Sequence, residues 1–209
     1  MSLFHGVRLA VLDTETTGLD PASGHALVEV ASVTLEDGGV RDPWATLVRP
    51  GRPIPPDATA VHGITDAMVA QAPEPPAVAA ELRRRCGDLP LALHNAAFDL
   101  PFLAALLSGC SQPPLLNPVI DTLGLARGLF DSGGNSLGAL AARFRLPRET
   151  AHRALGDALT TARLLLLLAE RWERERGVRT LAELAAASQD ALRLAPRRTA
   201  ARPGAPVPF

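Results

Sequence analysis

Lysine and tyrosine are both absent from this chain of 209 residues, and all 21 of its cationic side chains are arginine. The chain therefore has no Schiff-base lysine, no P-loop lysine and no tyrosine base. The chain also has 22 acidic residues, so its net charge is −1. That balance excludes a strongly basic protein that holds nucleic acid by bulk charge alone. It is compatible with a site whose carboxylates are offset by bound metal ions.

Cysteine and long apolar runs are also scarce. The two cysteines, Cys86 and Cys110, stand far apart without a CxxC pairing, which is typical of a reducing cytosol. The leucine run at 164–168 is too short to span a bilayer, and residues 1–6 lack the features of a signal peptide. We therefore expect a cytoplasmic protein with no membrane partner. With 47% hydrophobic and 21% charged residues, it can bury a core without disulfides or a structural metal.

The apolar pattern predicts strands that come first and then alternate with helices. Five segments are predicted to be strands: 7–12, 26–35, 44–48, 89–93 and 119–121. The segments predicted to be helical are 67–70, 77–85, 98–107, 136–144, a long helix that starts irregularly after 152 and ends near 174, and 181 to about 194. The proline-rich segment 50–56 is predicted to be an extended loop. This order indicates an α/β fold, a mixed five-stranded sheet with helices on both faces.

The first candidate site residues lie in the segment DTETTG, residues 13–18. On a strand, Asp13 and Glu15 point to the same face, so two carboxylates converge with no basic residue between them. Oxygen-only clusters of this kind suit Mg²⁺ or Mn²⁺. Taken alone, the pair is better explained by a solvated strand end.

Two further segments carry acids beside a predicted strand or helix end. HNAAFD, residues 94–99, follows a predicted buried strand and places Asp99 near the start of a helix. HRALGD, residues 152–157, contains His152 and Asp157, which converge more easily if the histidine precedes the helix than if both lie on it. Separately, Asp99 fits a first-turn helix acid, and His152 fits a surface histidine.

Together these segments, in this order and with VHGIT at residues 61–65, resemble the DEDDh family of 3′–5′ exonucleases. That family includes the proofreading (epsilon) subunit of bacterial DNA polymerase III. The resemblance covers roughly residues 7–170 and implies a ribonuclease H-like fold, which agrees with the mixed sheet predicted above. The tyrosine-based sister class is excluded because the chain has no tyrosine.

The resemblance implies two divalent metal ions, Mg²⁺ or Mn²⁺, held by four carboxylates: Asp13, Glu15, Asp99 and Asp157. It assigns His152 as the base that takes the proton of the attacking water, a role that suits an imidazole at neutral pH. The implied reaction releases 5′-nucleotides from the 3′ end of single-stranded or frayed DNA, in proofreading or repair. The resemblance places substrate contacts at Thr16, Gly18, Leu19, Asp57, His62, Asn95 and Phe98. Phe98 fits a core aromatic equally well.

Two other functions stay open at this point. One is the same hydrolysis on RNA, and the other is a non-catalytic adaptor that binds a replicative DNA polymerase. We expect an exonuclease domain at 1–179, a C-terminal helix at 180–195 and a disordered tail at 196–209. The tail contains four prolines and three arginines and has little to bury, so it is a candidate docking peptide for the polymerase.

Overall fold

The computed structural model describes residues 3–130, 134–147 and 149–194. Its strands form one sheet in the order β3-β2-β1-β4-β5, with these bounds: β1 Arg8–Thr16, β2 Leu27–Glu36, β3 Gly39–Leu47, β4 Leu91–Leu93 and β5 Val119–Asp121. The pairs β1–β2 and β2–β3 are antiparallel, whereas β1–β4 and β4–β5 are parallel. The predicted mixed five-stranded sheet is therefore confirmed.

Helices cover both faces of this sheet, as predicted. Within the described ranges they are α1 Pro56–His62, α2 Asp66–Val69, α3 Pro75–Cys86, α4 Ala96–Gly109, α5 Thr122–Leu129, α6 Leu137–Arg143, α7 Ala154–Arg176 and α8 Leu181–Leu194. Alternate residues of β1 point to opposite faces. Leu9 and Val11 pack into the core formed with α5 to α8, whereas Ala10 and Leu12 pack into the core formed with α3 and α4.

The first strand is longer than predicted and continues to Thr16. Its pairing with β2 extends through the acidic segment, with Asp13 opposite Ala31 and Glu15 opposite Glu29. The apolar run ends at Leu12, so apolar patterning alone could not show this extension. Because the strand geometry continues, Asp13 and Glu15 do share one face of the sheet, as their spacing predicted.

Two helices, α1 and α5, do not appear among the predicted elements. The end of the predicted proline loop becomes the start of α1, because Pro56 occupies its first turn, where proline is tolerated. Helix α5 starts directly after β5, where the Asp121 side chain accepts a hydrogen bond from Leu123 N. At the start of α2, Thr65 occupies the N-cap position but makes no side-chain capping bond.

Helix α8 packs closely against α5. A Cβ on Gly124 would lie 2.0 Å from the carbonyl oxygen of Ser188, so glycine is required for this approach. The fully buried Ser188 hydroxyl also accepts a hydrogen bond from Asp121 N, at 3.1 Å. The tail predicted at 196–209 and residues 131–133 lie outside the described residues. None of the helices in the described ranges is long and apolar enough to cross a membrane.

Candidate active site

Three carboxylates meet at the end of β1. Asp13 and Glu15 come from the strand, and Asp157 comes from the first turn of α7. One oxygen from each lies within 4.8 Å of the others, and all three residues are half-buried. Such a group of oxygens suits a divalent cation of the Mg²⁺ or Mn²⁺ kind.

The fourth predicted carboxylate, Asp99, lies beside this group in the first turn of α4. It is buried, with 3% of its surface exposed, and its Oδ1 accepts a hydrogen bond from Thr14 Oγ1 at 2.7 Å. Thr14 points to the opposite side of β1 from Asp13 and Glu15 by strand alternation, so it links the strand to α4. The structure thus brings all four predicted carboxylates to one cleft.

The proximity of these acids makes it unfavourable for them to ionise together. Burial, followed by the charge of Asp99, raises the pKa of Asp13 well above its ordinary value. Burial and then the charge of Asp157 raise the pKa of Glu15 to about 8. Burial likewise raises the pKa of Asp99 and of Asp157. A cation in this cleft would relieve the repulsion and favour the ionised form of every carboxylate.

These raised pKa values predict that the stability of the metal-free protein depends on pH. Divalent cations should reduce that dependence. In the metal-free protein, the stabilisation from protonated Glu15 is fully present below pH 4.5 and is lost as pH rises towards about 8. The melting temperature in EDTA should therefore fall between pH 5 and pH 8. Saturating Mn²⁺ should raise the melting temperature most at pH 8, because bound cations offset the negative charge. An Mn²⁺ effect that is equal at the two pH values in differential scanning fluorimetry would contradict this linkage.

His152 lies in a turn that precedes α7, so it is not on the same helix as Asp157. Its backbone is left-handed, with φ 55°, and its N–H donates to Asp157 Oδ2 at 3.0 Å. A Cβ on Gly156 would lie 2.2 Å from the carbonyl oxygen of Thr150, so this glycine lets the chain before His152 pack on the helix. The imidazole side chain is exposed beside the carboxylates.

The turn of His152 is held by an ion pair that sequence reasoning missed. Arg153 donates to the buried carboxylate of Glu29 on β2, with its Nη2 2.6 Å from Oε1 and its Nε 3.0 Å from Oε2. The same carboxylate accepts a hydrogen bond from Ala154 N at 2.9 Å, so Glu29 also caps α7. The partners are 124 residues apart, and no local motif links them.

The segment Thr16–Gly18, which follows Asp13 and Glu15, is held between two histidines. His62 Nδ1 accepts a hydrogen bond from Ile64 N at 3.0 Å, so its protonated nitrogen is Nε2, which lies 3.3 Å from the Thr16 carbonyl oxygen. Burial lowers the pKa of His62, which favours this neutral form. His25 lies on the other side of this segment, with its Nδ1 3.3 Å from Thr17 Oγ1. Its half-buried ring packs so closely against Gly18 that a Cβ there would lie 2.3 Å from it.

The other predicted substrate contacts line the same cleft, a cavity of about 2430 Å³. Leu19 is 68% exposed, and Asp57 and Asn95 are also exposed. Phe98 is half-buried and packs against Phe102 with a ring separation of 5.5 Å, so it combines core packing with a place on the cleft wall.

A buried acid that the sequence did not single out, Asp121, holds the Asn95 turn in place. Its carboxylate accepts hydrogen bonds from Asn95 N, Ala96 N and Leu123 N at 2.9–3.0 Å, which caps both α4 and α5. Next to it, His94 Nδ1 lies 2.8 Å from Thr122 Oγ1, and burial lowers the pKa of His94 to about 4. Asp121 and His94 therefore shape the cleft wall beneath Asn95.

Comparison with known proteins places this geometry in a family. The exonuclease family model (RNase_T) matches residues 10–165, which include all the carboxylates and His152. The chain belongs to this exonuclease family. The resemblance seen in the sequence and the ribonuclease H-like fold that it implied are thereby confirmed.

Individual members of the exonuclease family are similar to this chain in sequence and in structure. A DNA polymerase III subunit epsilon-like protein of Rhodobacter capsulatus is 44% identical over 169 residues, or 78% of this chain and 24% of that protein. The DNA polymerase III subunit epsilon of Treponema pallidum is 34% identical over 174 residues, or 82% of this chain and 80% of that protein. The solved structure of exonuclease X in complex with 5′-overhanging duplex DNA has a TM-score of 0.69 and 34% identity, and covers 86% of this chain and 99% of that one. This chain thus spans about a quarter of the Rhodobacter protein.

Proposed function

We propose that this protein is a metal-dependent 3′–5′ exonuclease that releases 5′-nucleotides from the 3′ end of single-stranded or frayed DNA. The observation that carries the proposal is the group formed by Asp13, Glu15 and Asp157, whose oxygens lie within 4.8 Å of one another, with the exposed His152 beside it. This arrangement lies within the segment that matches the exonuclease family. We propose that the catalytic domain comprises residues 1–179.

The carboxylates fit divalent metal ions on chemical grounds. They offer only oxygen atoms, and burial together with mutual repulsion raises their pKa values, which is the environment that a cation relieves. In the proposal, Asp13, Glu15, Asp99 and Asp157 hold two ions, Mg²⁺ or Mn²⁺. Ions bound there supply Lewis-acid stabilisation of the phosphodiester's developing charge and a reactive nucleophile at neutral pH.

His152 is proposed as the general base. Its imidazole is exposed on the cleft side, while its backbone N–H is fixed to Asp157. Neither ring nitrogen has a hydrogen-bond partner among the described residues, so the unprotonated one is available to take a proton from a water that attacks the last phosphodiester. No lysine or tyrosine is present to compete for this role.

The segment from Thr16 to Leu19 is proposed to hold the terminal nucleotide. Gly18 offers its backbone to the substrate while His25 packs where a Cβ would lie, and the exposed Leu19 can wedge against the terminal base. Asp57, Asn95 and Phe98 complete the wall of this pocket. His62 supports the pocket from below through its contact with the Thr16 carbonyl oxygen.

The biological setting is proposed to be proofreading or DNA repair. The relatives named as epsilon subunits favour a replicative DNA polymerase as a partner. A DNA substrate is favoured by the solved exonuclease X structure, which contains DNA.

A degradation assay tests the activity and the substrate together. A 5′-labelled dT12 strand should shorten stepwise from its 3′ end in Mg²⁺ or Mn²⁺ and stay intact in EDTA. An rU12 strand tested in parallel compares DNA with RNA. Faster degradation of rU12 would favour the exoribonuclease alternative, and no degradation of either strand would favour a non-catalytic polymerase-binding adaptor.

The ion pair of Glu29 and Arg153 should affect this activity through His152. Glu29→Gln is expected to lower kcat about 10–100-fold, the usual effect of changing a group that orients an active-site residue. In a His152→Ala background, Glu29→Gln should lower kcat little further, because the turn that Glu29 orients no longer carries the base. A loss of equal size in both backgrounds would show a general structural effect instead. Melting temperatures of the four proteins provide the control for folding.

A further inference from the structure

The cleft extends well beyond the carboxylates. Its volume of about 2430 Å³ exceeds the roughly 300–1,000 Å³ of a pocket for one small molecule. The extension is lined by Arg127, in the last turn of α5, and Arg145, which follows α6. Arg127 lies close enough to His94 that its charge contributes to lowering the pKa of that histidine. The lining of the cleft therefore includes two arginines in addition to the carboxylates.

Both guanidinium groups are free to bind a ligand. Among the residues that the structure describes, neither Arg127 nor Arg145 makes a side-chain hydrogen bond or an ion pair, and both residues are exposed. Other arginines of the chain are neutralised by acids: Arg153 pairs with Glu29 and Arg163 with Glu149. The charges of Arg127 and Arg145 are thus not neutralised by an ion pair within the described residues.

Arg145 also occupies a backbone position that normally favours glycine. Its φ is 53°, its N–H donates to the Ala142 carbonyl oxygen, and Leu146 N donates to that of Ala141. This is the Schellman ending of α6, in which glycine is the usual residue at the left-handed position. An arginine here costs stability relative to glycine.

Two other residues of the cleft share this feature. Asn95 and His152 are likewise left-handed without being glycine, with φ 68° and 55°. Residues held in such conformations cluster at functional sites, where the side chain is needed despite the strain.

We propose that Arg127 and Arg145 bind backbone phosphates of the single-stranded substrate, upstream of the nucleotide that is removed. This inference rests on the proposed exonuclease function. Two divalent ions only neutralise the four carboxylates, so attraction for further phosphates of the strand must come from cationic contacts elsewhere in the cleft. Arginine suits this role because its planar guanidinium can donate two hydrogen bonds to one phosphate.

The test measures binding of fluorescein-labelled dT12 over a range of salt concentrations, in an Asp13→Asn background that blocks cleavage. Each of Arg127→Gln and Arg145→Gly should weaken binding and reduce the slope of log K against log salt by about 0.7, the value for one phosphate contact on a single strand. The dinucleotide dT2, which lacks upstream phosphates, should lose less affinity than dT12 does. Arg41→Gln, which changes an exposed arginine outside the cleft, should leave both affinities unchanged.

Arg145→Gly separates binding from folding, because it should raise the melting temperature while it weakens dT12 binding. Unchanged salt slopes in both variants, or equal losses for dT2 and dT12, would overturn the inference. A wild-type protein that degrades dT12 while the slopes stay unchanged would contradict this inference alone. A wild-type protein that neither degrades nor binds dT12 would overturn the proposed function, and this inference with it.

Discussion

Asp13→Asn is expected to lower the rate of strand degradation by at least roughly 10²–10³, because a weakened metal site loses electrostatic stabilisation of the transition state, which is typically worth that factor. The substitution keeps the shape of the side chain but removes a negative charge from the group formed with Glu15 and Asp157. It should also weaken Mn²⁺ binding in isothermal titration calorimetry. The fold should remain intact, because the change removes repulsion among buried carboxylates and breaks no hydrogen bond that the structure shows for this side chain.

The stability of this variant gives a second measurement. At pH 8 and in EDTA, Asp13→Asn should melt at or above the wild-type temperature, because the pKa of Asp13 is raised well above its ordinary value and ionising it destabilises the folded state. Glu170→Gln, an exposed acid on α7, is the matched control and should change neither rate nor metal binding. Full activity in Asp13→Asn would reject the metal site and leave Asp13 as a solvated acid at a strand end.

His152→Ala is expected to lower the rate roughly 10²–10⁴-fold, the usual contribution of general base catalysis. Mn²⁺ binding should be retained, because the interaction of His152 with Asp157 is made by its backbone N–H, which alanine keeps. Binding of dT12 should also be retained. This combination of lost turnover and unchanged metal binding distinguishes a base from a ligand.

Added imidazole provides a direct check on the same residue. Since the side chain of His152 is exposed, free imidazole can reach the space that alanine leaves and should restore part of the lost rate. His5→Ala, which removes another exposed histidine, should keep the wild-type rate and show no effect of imidazole. A His152→Ala protein that keeps the wild-type rate would exclude the base assignment.

The strand and helix pattern was largely readable from the sequence because each element has a local signal. The buried face of β1 and the buried run Leu91–Leu93 are apolar, and the cap of α6 at Ser136 is a local side-chain to backbone bond. Helix α1 was missed for a local reason as well. Proline can either end a loop or start a helix, and only the folded backbone shows that Pro56 starts α1.

The sequence by itself determined which residues could carry the chemistry, because DTETTG, HNAAFD and HRALGD occur together in this order, although each acid taken alone fits a solvated or helix-start position. What only the tertiary structure decided is how those residues are held. Glu29 meets Arg153 across 124 residues, and Asp121 caps two helices at once. Such contacts join distant segments and depend on the completed sheet, so no local periodicity encodes them. The left-handed backbone of Arg145 belongs to the same group, because sequence preferences place glycine at that position and the folded chain places an arginine there.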